Sequence, residues 1–126
     1  MIKEEGPGWR IIRDSSRNNF STLIGGESWA IELNQAEREV LVKVVIDLSD
    51  QYKGVKDQLM GDEDITLELE RTPWLAILKG DQFGWNLKLI LNTTDSLNRG
   101  AEVFWPRNVT TFVTNAMRTM WDSDYL

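Results

Sequence analysis

The chain contains no cysteine and no histidine. Without cysteine there can be no disulfide, no thiolate nucleophile and no Cys-based zinc or iron–sulfur site, and a reducing compartment is compatible with the sequence. Without histidine the usual general base near neutral pH is missing, together with the commonest metal ligand and any Ser–His pairing for Ser15 or Ser16. Positive charge is also in short supply. Lys and Arg number 14 against 20 Asp and Glu, a formal net charge of −6. That balance opposes indiscriminate attraction to nucleic acid or to anionic membrane surfaces, which depends on clustered Lys and Arg. No apolar run approaches the ~18 residues of a membrane span. Met1 to Gly8 shows no basic stretch followed by an apolar one, so no signal peptide is expected. The expectation is a cytoplasmic protein with no membrane partner and no cofactor.

What is present argues for one packed domain over residues 1–126, long enough to bury roughly two-thirds of its unfolded surface. The six tryptophans at 9, 29, 74, 85, 105 and 121 stand out. Each can bury about 150–250 Å², so they are expected to anchor the core.

Two passages read alike. The first runs from Trp9-Arg-Ile-Ile-Arg-Asp14 through Phe20-Ser-Thr-Leu-Ile24 and Ser28-Trp-Ala-Ile-Glu-Leu33 into a helical pattern from Gln35. The second runs from Ile65 to Arg71, Trp74 to Lys79 and Gly84 to Asn92, and again ends in a helix, from about Pro106. Strands then a helix, twice, implies pseudo-repeat halves at about 9–60 and 64–122. Residues 1–8, with Gly6-Pro7-Gly8, read as a flexible arm, and Asp122 to Leu126 as a fraying tail. Within the strands, Trp29, Ile31 and Leu33 alternate with Ala30 and Glu32, and Ile65, Leu67 and Leu69 with Thr66, Glu68 and Glu70. Asn34 with Glu37 is a capping-box variant opening the first helix, which Gly54 either ends or sits inside. Pro106 suits the first position of the second helix, with Val109, Phe112, Val113, Ala116, Met117, Met120 and Trp121 at helical spacing. The arithmetic gives an α+β fold: one twisted antiparallel sheet of six to seven strands with two long amphipathic helices, each covering the apolar face of its own half.

Few motifs carry chemistry. Asp62-Glu63-Asp64 lacks the spacing of an EF-hand and reads as a solvated turn, with a Mg²⁺ or Ca²⁺ site as the functional alternative. Glu68 and Glu70 share one strand face, with Glu32 expected across from them, and they either do carboxylate acid–base work or form a solvated surface partnering Arg10, Arg13 or Lys88. Arg10, Arg13 and Arg17, with Trp9 and Phe20 nearby, form the one basic and aromatic cluster. Stacked rings and phosphate-holding arginines would serve single-stranded nucleic acid. The bland alternative makes Trp9 core and pairs the arginines with glutamates. Arg99 reads as a structural tie to Glu102. The glycine pairs are too short for a nucleotide loop, and Asn92-Thr-Thr94 and Asn108-Val-Thr110 match the glycosylation pattern without a secretory signal.

Gly8-Trp9-Arg10, Ser28 to Leu33, Ile65 to Glu70 and Arg99-Gly-Ala-Glu-Val-Phe-Trp-Pro106 together resemble a small cyanobacterial and plastid-lineage family known only as a domain of unknown function. That family is similar in fold to the Whirly proteins and the single-stranded-DNA-binding transcriptional coactivators. The resemblance implies a Whirly-like pseudo-dimer in one chain and transfers no functional residue. Three readings of function follow. The first is a non-enzymatic interaction or regulatory protein with a protein partner or a second copy of itself. The second is single-stranded nucleic-acid binding, through Arg10, Arg13, Arg17 and Phe20. The third is a carboxylate-based enzyme or small-ligand site.

Overall fold

The computed structural model describes residues 1–93 and 98–121. The tail from Asp122, most of the loop between Asn92 and Gly100, and Thr94 of the first glycosylation pattern lie outside the described residues. Eight strands and two helices follow in the order β1 (Ile2–Gly6), β2 (Trp9–Arg13), β3 (Thr22–Gly26), β4 (Ala30–Leu33), α1 (Gln35–Val55), β5 (Ile65–Arg71), β6 (Trp74–Asp81), β7 (Gly84–Asn92), β8 (Gly100–Trp105) and α2 (Thr110–Trp121). The strands form two four-stranded antiparallel sheets, β1-β2-β3-β4 and β5-β6-β7-β8, each a simple meander.

This overturns the single sheet of six to seven strands. One cause is local. The expected arm is β1, paired with β2 from Ile2↔Arg13 to Gly6↔Trp9. Pro7 and Gly8 are a two-residue hairpin connection, with Gly8 at φ 82°, where a side chain would be strained. The other cause is how the halves meet. Side chains, not a backbone ladder, join β8 to the first sheet: Trp105 Nε1 donates to Gly25 O at 3.0 Å and Trp29 Nε1 to Phe104 O at 3.0 Å. The two indole rings lie 5.3 Å apart. Glycine permits this approach, since a Cβ on Gly26 would sit 2.2 Å from Trp29 Nε1.

The helices also depart from expectation, because α1 does not cover its own half. It packs on β5 and β6, whereas α2 contacts both β2 and β7. Named bonds fix the exchange. Trp74 Nε1 on β6 donates to Glu37 O near the start of α1 at 2.9 Å, and Tyr52 Oη near its end donates to Asp81 O at 2.5 Å. The α1 cap is a complete capping box: Glu37 N–H donates to Asn34 Oδ1 at 2.8 Å, and Asn34 N–H to Glu37 Oε1 at 3.0 Å. Gly54 lies inside α1, exposed, one residue before its end. The second helix begins at Thr110 rather than Pro106, because Val109 N–H closes a turn onto Pro106 O and Thr110 Oγ1 donates to Trp85 O.

Between these layers lies one apolar cluster. Trp74, Trp105 and Trp121 are almost wholly buried and Trp85 is 5% exposed, with Trp9 and Trp29 packed at the margin. Met117, Met120 and Trp121 belong to this core rather than to a surface patch. No helix among the described residues is long and apolar enough to cross a membrane.

At the β6–β7 turn, Phe83 N–H donates to Asp81 Oδ1 at 2.8 Å and the Arg107 guanidinium lies 3.3 Å away. The Phe83 N–H first, then Arg107, hold the Asp81 carboxyl below the ordinary aspartate value. A depressed native pKa means the associated stability is present above the unfolded-state value and is lost as pH falls through the native one. Urea midpoints should therefore fall on acidification below about pH 4, and Asp81→Asn should make that acid limb shallower. An Asp81 resonance titrating at the ordinary value would contradict this.

Candidate functional site

The expected cluster of Arg10, Arg13, Arg17 and Phe20 does not form one surface. Side chains alternate along β2, so Arg10 and Arg13, three residues apart, leave opposite faces of the sheet. Arg10 is exposed beside Gly25. It lines an open groove of about 630 Å³ with Trp9, Trp29, Glu5 and Glu27. Arg13 turns toward the end of α2, its Nη1 donating to Met120 O at 3.0 Å. Arg17, on the loop after β2, meets Glu32 with both terminal nitrogens, at 3.0 and 3.2 Å. Phe20 carries the Arg99 guanidinium 4.8 Å from its ring centroid. Trp9 stacks on exposed Phe112, with centroids 6.4 Å apart and planes 6° from parallel.

The carboxylates are likewise dispersed. Glu68 and Glu70 are exposed on β5, and Glu32 is the partner of Arg17. The buried carboxylate is Glu37, 3% exposed, which the sequence marked only as a cap. It accepts from Arg99 Nη1, so Arg99 ties the chain entering β8 to the first turn of α1 and is not paired with Glu102. In the acidic turn, Glu63 folds back on Met60 N–H, and Asp62 and Asp64 are exposed. Among the described residues no three Asp or Glu side chains are grouped as a metal ion would require.

Two features escaped the sequence reading. Arg38 is 7% exposed on α1 and lies over the Trp121 ring, 5.0 Å from its centroid. Both side chains face the loop that carries Arg17. The only available signal was the position of Arg38 four residues beyond the Asn34 cap, which says nothing of a partner 83 positions away.

The second feature is the face of β5–β8 turned away from the buried tryptophans. Leu75, Ile77 and Ile90 are partly exposed there and Phe104 is 45% exposed. The register sets Glu68, Ile77, Lys88 and Phe104 in one cross-strand row, and Glu70, Leu75, Ile90 and Glu102 in the next. Lys79 follows on β6. Phe104 also borders a mixed groove of about 400 Å³ lined by Pro7, Trp29, Pro106 and Val109 together with Glu27, Ser28 and Asn108.

Residues 4–120 match the family described as Domain of unknown function (DUF1818). The chain belongs to this family. A crystal structure of a protein with unknown function from the DUF155 family of Prochlorococcus sp. NATL2A is 74% identical to this DUF1818 chain. It covers 96% of this chain and 99% of its own, with a TM-score of 0.92. The expected family of unknown function is thus met, and that relative has a cyanobacterial source. Nothing matches among curated proteins.

Proposed function

We infer that this DUF1818 protein is non-enzymatic and works by association, with the open face of the second sheet as its contact and a second copy of the chain as the partner. One observation carries the reading: Leu75, Ile77, Ile90 and Phe104 lie together on a sheet face that neither helix packs against. An apolar sheet face rimmed by charge is the usual sign of an interaction site. The charges favour self-pairing over an arbitrary acidic or basic partner. Glu68, Glu70 and Glu102 share the face with Lys79 and Lys88, so two copies can set acid against base although each carries −6 overall.

Sedimentation equilibrium tests this directly. The expected result is a dimer with Kd below about 100 µM, or some 5.5 kcal/mol, and a monomer on Ile77→Lys with the melting temperature little changed. A wild-type chain that stays monomeric at that concentration defeats the reading.

A second reading is single-stranded nucleic-acid binding. The element order, four strands and a helix twice over, supports the Whirly-like resemblance, and that fold's single-strand binders supply the analogy. Retention of a labelled single strand that weakens steeply with added salt would support it. Against it stand the engagements of Arg13, Arg17 and Phe20 within the fold.

A further inference from the structure

The outer strands of the two sheets are β1, β4, β5 and β8. An outer strand presents unpaired N–H and C=O groups along its free side, and proteins occupy or blunt such edges. Where the sheets meet, side chains engage them: Arg99 Nη2 donates to Glu32 O on β4, and Trp29 Nε1 to Phe104 O on β8. The β1 edge is short and carries Lys3, Glu4 and Glu5 in a row. The β5 edge is different. Its seven residues contain neither Pro nor Lys and pair with β6 without a bulge, from Ile65↔Gly80 to Arg71↔Trp74. Among the described residues no other strand lies beside it, and no backbone hydrogen bond outside the β6 ladder reaches it.

Period two gives β5 two unlike sides. Ile65, Leu67 and Leu69 point to the core side yet stay partly exposed, whereas Leu78 and Ala76 opposite Leu67 and Leu69 are fully buried. The apolar layer is therefore unfinished along this edge. Thr66, Glu68 and Glu70 point the other way and are exposed.

We propose that β5 receives an extended segment of a partner protein as an added strand, one in which apolar residues alternate with Lys or Arg. The apolar side chains would cover Ile65, Leu67 and Leu69, and the basic ones would lie beside Glu68 and Glu70. In strand addition the main-chain hydrogen bonds supply affinity and alternate side chains supply selection. Charge decides against a second copy of the chain on this edge. In a two-fold antiparallel pairing that keeps leucine against leucine, Glu68 opposes its own copy when Glu68 is the centre. It opposes Glu70 when Leu69 is the centre, and with Leu67 as the centre Asp64 opposes Glu70. Like charges directly opposite one another are destabilising. A basic strand relieves the same positions, and the net charge of −6 draws it to the chain as a whole. The edge is a different surface from the open sheet face, although Glu68 and Glu70 border both.

The probe is a capped peptide of alternating lysine and valine, long enough to span β5, with the β5 amides followed by ¹H–¹⁵N NMR. Outward-pointing amides alternate along an edge strand, so every second amide from Ile65 to Arg71 should shift and exchange more slowly with solvent. The effect should scale with peptide and not with protein concentration, which separates it from self-association. Glu68→Lys, an exposed substitution, should weaken the peptide at least about fivefold, the equivalent of one cross-strand charge pair, with an unchanged melting temperature. If that variant fails to fold, Glu70→Lys gives the same comparison. A peptide of alternating glutamate and valine should leave the amides unmoved. No response to millimolar lysine–valine peptide overturns the proposal, as does an equal response to the acidic peptide. An equal response to the basic peptide with its backbone nitrogens methylated also overturns it, since charge alone would then suffice. So does slowed exchange of these amides in the free protein as its own concentration rises, in favour of a second copy on the edge.

Discussion

Replacing Trp105 with alanine is expected to cost about 3–5 kcal/mol, the range for removing a large buried aromatic side chain. Trp105 is wholly buried at the end of β8, where the two sheets meet. Its ring packs 5.3 Å from Trp29, and its Nε1 donates to Gly25 O on β3. No strand of one sheet pairs with a strand of the other among the described residues, so these indoles supply a direct polar link between β8 and the first sheet. Alanine therefore removes core volume and the tie together. Trp105→Phe separates the two effects. It keeps most of the ring but leaves the carbonyl of buried Gly25 without its indole donor, for about 1–3 kcal/mol. Urea unfolding of both variants measures the difference. Because domains of this size are stable by only about 5–15 kcal/mol, the alanine variant should lose a large fraction of its stability. A loss below about 1 kcal/mol would show that the junction contributes little.

What could be read in advance follows the range of the interactions involved. Helix α1 was legible because its cap and its apolar stripe are local: Asn34 and Glu37 sit three residues apart, and Leu41, Val44, Val45, Leu48 and Tyr52 fall on one side. The strand faces were legible for the same reason. Trp74, Ala76 and Leu78 are buried and Leu75 and Ile77 are not, as a period of two requires. Which strands pair is a different kind of question, since alternation is the same whatever lies alongside. Nothing near Gly25 or Trp105 indicated that they meet across 80 positions. The exchange of α1 onto β5 and β6 was hidden similarly, because its Trp74 and Tyr52 contacts span 37 and 29 positions. At β1 the failure was local. Pro7-Gly8 reads equally as a loose linker or as a hairpin turn, and pairing along Ile2 to Gly6 decides for the turn.

The site divides along the same line. That Arg10 and Arg13 leave opposite sides of β2 follows from parity alone and was open to reading. That Arg13 and Arg17 share a cleft with Arg38 and Trp121 was not, because the cleft draws on a loop and both helices. The exposed row through Ile77 and Phe104 was half visible. The alternation through Trp74, Ala76 and Leu78 puts Ile77 on the other face of β6, but its neighbours across the sheet required the register.

The second large effect concerns Glu37 and Arg99, 62 residues apart. The Glu37 side chain is 4% exposed and that of Arg99 24%. Glu37 Oε1 takes both the Asn34 N–H and Arg99 Nη1, while Oε2 has no partner. Arg99 also donates to Glu32 O, stacks on Phe20, and receives support from Thr93, whose Oγ1 accepts the Arg99 N–H. Removing one charge from a buried pair strands the other, so Arg99→Met should cost about 3–5 kcal/mol. Glu37→Gln keeps an oxygen for the Asn34 N–H and loses only the charge, which sets its cost lower, at about 1.5–3 kcal/mol for a hydrogen bond to a charged group. In the double variant no charge is left stranded. Its loss should fall short of the sum of the two singles by about 0.5–3 kcal/mol, the range for directly coupled neighbours. Three urea curves and the wild type complete the cycle. If the losses simply add, the carboxylate and guanidinium act separately, and Arg99 is held in place by Thr93 and Phe20 instead.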